Sequence, residues 1–335
     1  MQQFFLMMKN KVLILVPPLD ILGGVALHYK GLQKHWNKNV SYFEVFRSIN
    51  HTLFSPILYL LNIIKYVLVI IFKRPKLLVV NVSLKKGFFS KNIYIIIAKK
   101  VFGLKIITFI HGWDRNCENM LNEKKSSWIL SKSNAIIVLA NEFKNKLIAK
   151  GVKTPVYLSS TKVDEELIKG YDNSKRDGTV QKLLFVSRIE EEKGIFISLR
   201  TFKLLLKDDP NLSFDIVGEG EALEEVKQFI EKEKITNVNL KGRLHGAQLA
   251  NAFKTADFFI FPTFYGEGMP AALLESLAFG LPVAIRPEGG IPDFFINGEM
   301  GILTESKDPY VFYEKIKSLI NDNKRMKHIS QVNYE

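Results

Sequence analysis

Cysteine is almost absent. Cys117 is the only one in 335 residues, which excludes an intramolecular disulfide and any multi-cysteine metal site and suits a reducing compartment. Low-complexity tracts are missing too. With 47% hydrophobic and 24% charged residues, the chain has the composition of an ordinary globular protein, not of a disordered, collagenous or coiled-coil one. The most apolar stretch, Ile57 to Phe72, has 16 residues and contains Asn62 and Lys65. That falls short of the ~20 residues a spanning helix needs, so a buried or membrane-touching helix is expected there. Met1 to Met8 lack the basic start and the cleavage site of a secretory signal, so no such leader is expected. The G-x-G-x-x-G fingerprint is absent, which disfavours a nicotinamide enzyme. No Ser or Cys nucleophile motif supports a hydrolase triad. No RNP-like aromatic sheet or helix-turn-helix pattern supports nucleic-acid binding.

Charge is present in quantity but unevenly spread. The net charge is +13, and residues 1–175 carry 27 Lys and Arg against 10 Asp and Glu, while residues 176–335 carry 20 against 24. A basic half implies an anionic partner, such as a lipid surface or an acidic substrate.

Short apolar runs alternate with helical patterns along the chain. Strands are expected at Val12–Val16, Leu77–Val82, Lys105–Ile110, Ala135–Ala140 and Val156–Ser159, with helices near Val25–Trp36, Asn92–Val101 and Glu142–Lys150. A polar stretch, Asp172–Thr179, suits an interdomain linker. The pattern then restarts with strands at Leu183–Val186, Ser213–Val217, Val238–Leu240, Phe258–Pro262 and Pro282–Ile285, the last expected helix being Pro309–Ile320. The reading is α/β, with two Rossmann-like, doubly wound parallel-sheet domains at 1–172 and 180–335 facing across a cleft. Ligands bind at the carboxyl ends of such strands.

Four segments just after expected strands could carry chemistry. Gly23-Gly24 follows the first strand and precedes a helix; it is either a flexible turn or a place where backbone N–H groups approach an anion. His111, in His111-Gly112-Trp113-Asp114, could donate to a substrate hydroxyl or simply fix its loop. Arg188 and Lys193 stand at a strand end and a helix entrance, which suits a diphosphate clamp; with Glu190, Glu191 and Glu192 they equally form a solvated charge run. The run Gly266-Glu267-Gly268-Met269-Pro270 leads into a helix that carries Glu275 eight residues after Glu267. Acidic groups there would repel phosphate and address neutral hydroxyls, while Glu275 could also be a buried pairing residue.

Together these segments resemble the retaining glycosyltransferases of family four (glycosyl transferases group 1), which have the GT-B fold. The resemblance runs from Lys11 to about Asp322 and is most specific from Leu183 to Leu303. EGMPAALLESLAFGLPV is similar to the family's E-x7-E segment. Phe185-Val186-Ser187-Arg188 with Glu192-Lys193-Gly194 is similar to its R-x(n)-K-G clamp, and Ile216 to Gly220 and Ala256 to Pro262 also fit. The resemblance implies transfer of a hexose, with retention, from a nucleoside-diphosphate sugar to a saccharide or lipid-linked saccharide. Arg188 and Lys193 would hold the diphosphate, Glu275 the ribose, and Glu267, Gly268 and Met269 the hexose. Gly23 and Gly24 would approach the donor, and His111 the reacting carbon. No metal or other cofactor is implied. The place of action is expected to be cytoplasmic, where sugar nucleotides are made, and the basic half joined to Ile57–Phe72 suits attachment of the first domain to the inner face of the membrane, the alternative being that this helix is core. Rival readings are a non-catalytic sugar-nucleotide-binding protein, an epimerase or a phosphorylase of the same fold. Three departures stand out. Ser160-Thr161-Lys162-Val163-Asp164 replaces the common Asn-Gly-Val-Asp, the Glu190–Glu192 stretch is short and acidic, and the terminal helix that relatives place beyond Ile320 is expected to be abbreviated or missing.

Overall fold

The computed structural model describes residues 11–19, 24–33, 35–36, 38–45, 55–82, 92–113 and 130–335. Gly23, Asp114 and Cys117 lie outside the described residues. The chain divides into two compact units. One is Met1–Lys162 with Gly266–Met269, the other Val163–Tyr265 with Pro270–Glu335.

The first unit is built on β1 (Val12–Val16), α1 (Gly24–Gln33), β2 (Val40–Glu44), α2 (Ser55–Lys73), β3 (Leu77–Val82), α3 (Asn92–Ile96, continued by a π-helical turn at Ile97–Val101), β4 (Lys105–Ile110), β5 (Ala135–Val138), α4 (Asn141–Ala149) and β6 (Val156–Leu158). The strands form one parallel sheet in the order β2-β1-β3-β4-β5-β6. Strand side chains alternate between faces, so Leu13 and Leu15 enter one apolar cluster and Val12, Ile14 and Val16 another. Both faces of the sheet are therefore covered, as a parallel sheet requires. The strand order reverses between β1 and β3, whose carboxyl ends flank the unit's ligand-binding crevice in folds of this kind.

α2 is only half a core helix. Tyr59, Ile63, Tyr66 and Ile70 recur at helical spacing and pack on the sheet, whereas Ile57, Leu60, Leu61, Ile64, Leu68, Ile71 and Phe72 are exposed.

The second unit contains α5 (Glu165–Ile168), β7 (Lys182–Val186), α6 (Ile195–Asp208), β8 (Ser213–Val217), α7 (Leu223–Lys232), β9 (Val238–Gly242), α8 (Gly246–Thr255), β10 (Phe258–Phe261), α9 (Ala271–Ala278), β11 (Val283–Ile285), β12 (Gly301–Leu303), α10 (Pro309–Ile320) and α11 (Asn323–Tyr334). Its parallel sheet runs β12-β11-β10-β7-β8-β9 and reverses between β10 and β7. Their shared register covers only Phe258↔Leu183 and Phe259↔Leu184.

Two segments differ from expectation. The polar stretch after Tyr171 is anchored, not loose. Arg176 donates from Nε to the Tyr171 hydroxyl (2.8 Å) and to Phe279 O (3.2 Å), and from its Nη atoms to Ala256 O (2.5 Å) and Phe253 O (3.1 Å). Buried Asn173 donates to Ser330 O (3.1 Å). A further helix also follows Ile320. α11 is capped by Asp322, whose carboxylate accepts from Arg325 N, and its Asn333 amide donates to Leu281 O and Met300 O.

Candidate functional site

In the first unit, polar groups gather at the carboxyl ends of β1, β3 and β4. Asn81 is the one polar residue of β3 and is buried. Its Nδ2 donates to Leu15 O (2.7 Å), and its Oδ1 accepts from the Tyr29 hydroxyl (2.9 Å). His111 Nε2 lies 2.7 Å from the same Oδ1. Since that oxygen can only accept, His111 must carry its proton on Nε2, which fixes the tautomer and the ring plane. Its stacking on Phe109, with centroids 3.8 Å apart, holds the ring further. Asn81 was not singled out from sequence, although a lone polar residue in an otherwise apolar strand is a usable signal.

His28, on α1, was also missed. It is 6% exposed, its ring lies 5.4 Å from that of His111, and among the described residues neither of its nitrogens has a hydrogen-bond partner. Burial pushes its pKa down from 6.5 to about 4, so it is neutral at pH 7. The unfolded chain takes up a proton below 6.5 that the folded chain refuses until about 4. His28 therefore costs stability as pH falls through that window, by roughly 2 kcal/mol between pH 7 and pH 5. His28→Phe is expected to flatten this part of the pH dependence, read as the urea midpoint of variant against wild type at both pH values. Equal slopes would show that His28 is not held neutral.

The segment Gly266–Met269 belongs to this unit. The Trp113 N–H donates to Gly266 O (3.2 Å), and the Thr161 N–H to the Met269 sulfur (3.2 Å). A Cβ at Gly268 would stand 2.1 Å from His111 O, so only glycine permits this approach. Glu267 is buried at the same place. His111, Glu267, Gly268 and Met269 are thus brought together. Gly24 opens α1, and Gly23 is outside the described residues.

In the second unit, the loops after β7 and β10 meet where the strand order reverses. The Phe264 N–H (2.8 Å) and the Thr263 hydroxyl (3.3 Å) both donate to Glu192 O. This sets the Tyr265 ring beneath two cations, with Lys193 Nζ 3.9 Å and the Arg188 guanidinium 5.7 Å from its centroid. Lys193 is 5% exposed. The Arg188 side chain is 52% exposed and ion-pairs with Glu190. Arg188 and Lys193 thus converge on one ring, and Arg188 is paired at the same time with Glu190 of the charge run. Tyr265 had no sequence signal, because it joins the cations only through the fold.

Glu275 sits on α9, partly buried. Desolvation, then the nearby Asp164 carboxylate, push its pKa up to about 7. Asp164 itself caps α5 by accepting from Glu166 N. Arg286, also missed, staples the loops after three strands. It is buried, pairs with Glu288, and donates to Thr263 O, Glu305 O and Ser306 O.

The model of the family described as glycosyl transferases group 1 matches residues 171–335. The chain is 26% identical over 219 residues to the amylovoran biosynthesis glycosyltransferase AmsK of Erwinia amylovora, covering 62% of this chain and 53% of that one. It is 28% identical over 200 residues to the capsular polysaccharide biosynthesis glycosyltransferase CapM of Staphylococcus aureus, covering 56% and 52%. The alignments thus span about half the length of these relatives. Among solved structures, Anabaena HepE in complex with UDP-glucose superposes with a TM-score of 0.75 at 16% identity, over 97% of this chain and 93% of that one. The two six-stranded parallel sheets and this likeness give the GT-B fold.

Proposed function

Because residues 171–335 match the family described as glycosyl transferases group 1, we propose that the chain is a retaining hexosyltransferase. It moves a hexose from a nucleoside-diphosphate sugar to a saccharide or lipid-linked saccharide during assembly of a surface polysaccharide or lipopolysaccharide. The domain at 180–335 takes the donor and the domain at 1–172 the acceptor. The reaction runs on the cytoplasmic side, where nucleotide sugars are made. The products for which AmsK and CapM are named, and the donor bound to HepE, favour this class.

One observation carries the reading: Lys193 and Arg188 converge over Tyr265 at the strand-order reversal of the second sheet. As the bond from the anomeric carbon to phosphate oxygen breaks, negative charge grows on the diphosphate. Preplaced cations stabilise that charge most in the transition state. The leaving phosphate then takes the acceptor hydroxyl's proton on the face it is vacating. The new bond forms on that same face, which gives retention with no protein base and no metal. Glu267 faces the hexose hydroxyls, with the Gly268 and Met269 N–H groups beside it. His111, steadied by Asn81, approaches the reacting carbon. Gly24, at the start of α1, approaches the donor.

The test is release of nucleoside diphosphate from a panel of sugar nucleotides with saccharide acceptors, and the anomeric configuration of the product by NMR. Inverted product, or donor interconversion without acceptor, overturns the reading. Glu275 supplies a second check. If its carboxylate accepts from the ribose hydroxyls, the acid form near pH 6 must lose its proton to bind. Nucleoside diphosphate affinity is then expected to rise about tenfold between pH 6 and pH 8. Glu275→Gln keeps only the part that comes from the diphosphate's own titration. An identical pH dependence in the variant removes Glu275 from the ribose.

A further inference from the structure

α2 (Ser55–Lys73) is apolar around most of its circumference, with Asn62 and Lys65 as the polar residues of its middle, a pattern that belongs to a helix with both faces covered. Only one face is. Tyr66 and Ile70 are buried against the first sheet, and the Tyr66 hydroxyl donates to Tyr94 O (3.1 Å). On the opposite side, Ile57, Leu60, Leu61, Ile64, Leu68, Ile71 and Phe72 form a continuous stripe at spacings of three and four residues. Phe72, at the carboxyl end, is 77% exposed. Single exposed hydrophobics are ordinary, but seven in one stripe mark a docking face.

The charge around the stripe says what docks. No Asp or Glu occurs between Glu44 and Asp114, while that interval holds 11 Lys and Arg. Exposed Lys65 lies on the helix beside the stripe, between Leu61 and Leu68 in the helical rows. The helix ends at Arg74, which takes a left-handed conformation (φ 50). Lys73, Arg74 and Lys76 are all exposed there, next to Phe72. A second copy laid on this face would bring mostly like charges together, with Glu44, whose carbonyl accepts from Asn62, as the nearby acidic residue. An anionic bilayer supplies both what the stripe and its border need, hydrocarbon for the apolar side chains and phosphate for the cations. Among the described residues no helix is long and apolar enough to cross a membrane, so the helix would lie in the interface plane.

We propose that the exposed face of α2 is a peripheral membrane anchor that seats the first unit on anionic lipid. This needs no donor or acceptor, so it stands or falls apart from the transferase reading.

The experiment is co-sedimentation of the full chain with phosphatidylcholine vesicles, with and without phosphatidylglycerol. Binding is expected to rise with phosphatidylglycerol content and to fall with salt. The triple variant Leu61→Ser, Leu68→Ser, Phe72→Ser changes only exposed positions. It is expected to keep the thermal midpoint and nucleoside diphosphate affinity of the wild type, and to lose at least tenfold in vesicle affinity. Lys65→Glu with Lys73→Glu should remove the preference for phosphatidylglycerol. Equal binding of wild type and triple variant, no preference for anionic vesicles, or self-association abolished by the triple variant would each overturn the proposal.

Discussion

Lys193→Ala is expected to lower kcat by roughly 100- to 1000-fold while changing donor affinity far less. Removing one preplaced donor from a developing oxyanion costs about 2.7–4 kcal/mol of barrier. Lys193 meets the condition for the upper part of that range. It is 5% exposed, and its ammonium lies 3.9 Å from the Tyr265 centroid, out of bulk water. Arg188→Ala is expected to act in the same direction but less strongly. Its guanidinium is half exposed and already shares its charge with Glu190. Glu190→Gln separates the two effects, because it releases Arg188 to the diphosphate and should tighten donor binding. The measurement is steady-state turnover alongside nucleoside diphosphate affinity and the thermal midpoint. The last is needed because Lys193 also packs on an aromatic ring. Wild-type kcat in Lys193→Ala would take the residue out of the clamp.

The interior strands, buried on both faces, were legible in the sequence, and so were the edge strands β6 and β9. β1 (VLILV), β3 (LLVVNV) and β7 (KLLFV) lie inside their sheets and read as apolar runs, interrupted only by Asn81 in β3 and preceded by Lys182 in β7. β2 (VSYFE) is an edge strand with mostly half-buried residues, and β12 has only three residues, so neither gives such a run. α2 misleads for the opposite reason. Apolar residues on nearly every side of the helix say that both sides avoid water, but not that protein covers both. The 172–179 stretch misleads through polarity. Arg176 looks like a solvated linker residue until the fold surrounds it with a hydroxyl and three backbone carbonyls. At the candidate site, charge was legible and its partners were not. Arg188 and Lys193 stand out as cations after a strand. Tyr265 lies more than 70 residues on, and only the adjacency of β7 and β10 brings it beneath them. His28 gives no sequence signal, because an isolated histidine on a helix is as readily exposed as buried.

Gly194→Ala is expected to destabilise the second unit by about 2–5 kcal/mol and to reduce turnover along with it. Gly194 joins the turn that carries Lys193 to α6, and it does so at φ 82. A residue with a Cβ pays about 1–2 kcal/mol in that conformation. Space adds a second cost. The Cβ would stand 2.3 Å from Pro262 O and 2.6 Å from Pro262 C, which are backbone atoms just beyond β10. They cannot swing aside as a flexible side chain would, and overpacking of this kind typically costs a further 1–3 kcal/mol. Relief must come from moving the turn away from β10. That movement would break the bond from the Phe264 N–H to Glu192 O (2.8 Å) and carry Lys193 off the Tyr265 ring. Stability and turnover should therefore fall together in Gly194→Ala, whereas Lys193→Ala loses turnover out of proportion to any change in unfolding. Urea unfolding followed through the second unit, with turnover measured on the same samples, distinguishes the two. A variant with the wild-type midpoint would show that the turn can shift without cost. The packing of the loop after β7 against β10 would then not be what holds the cation in place.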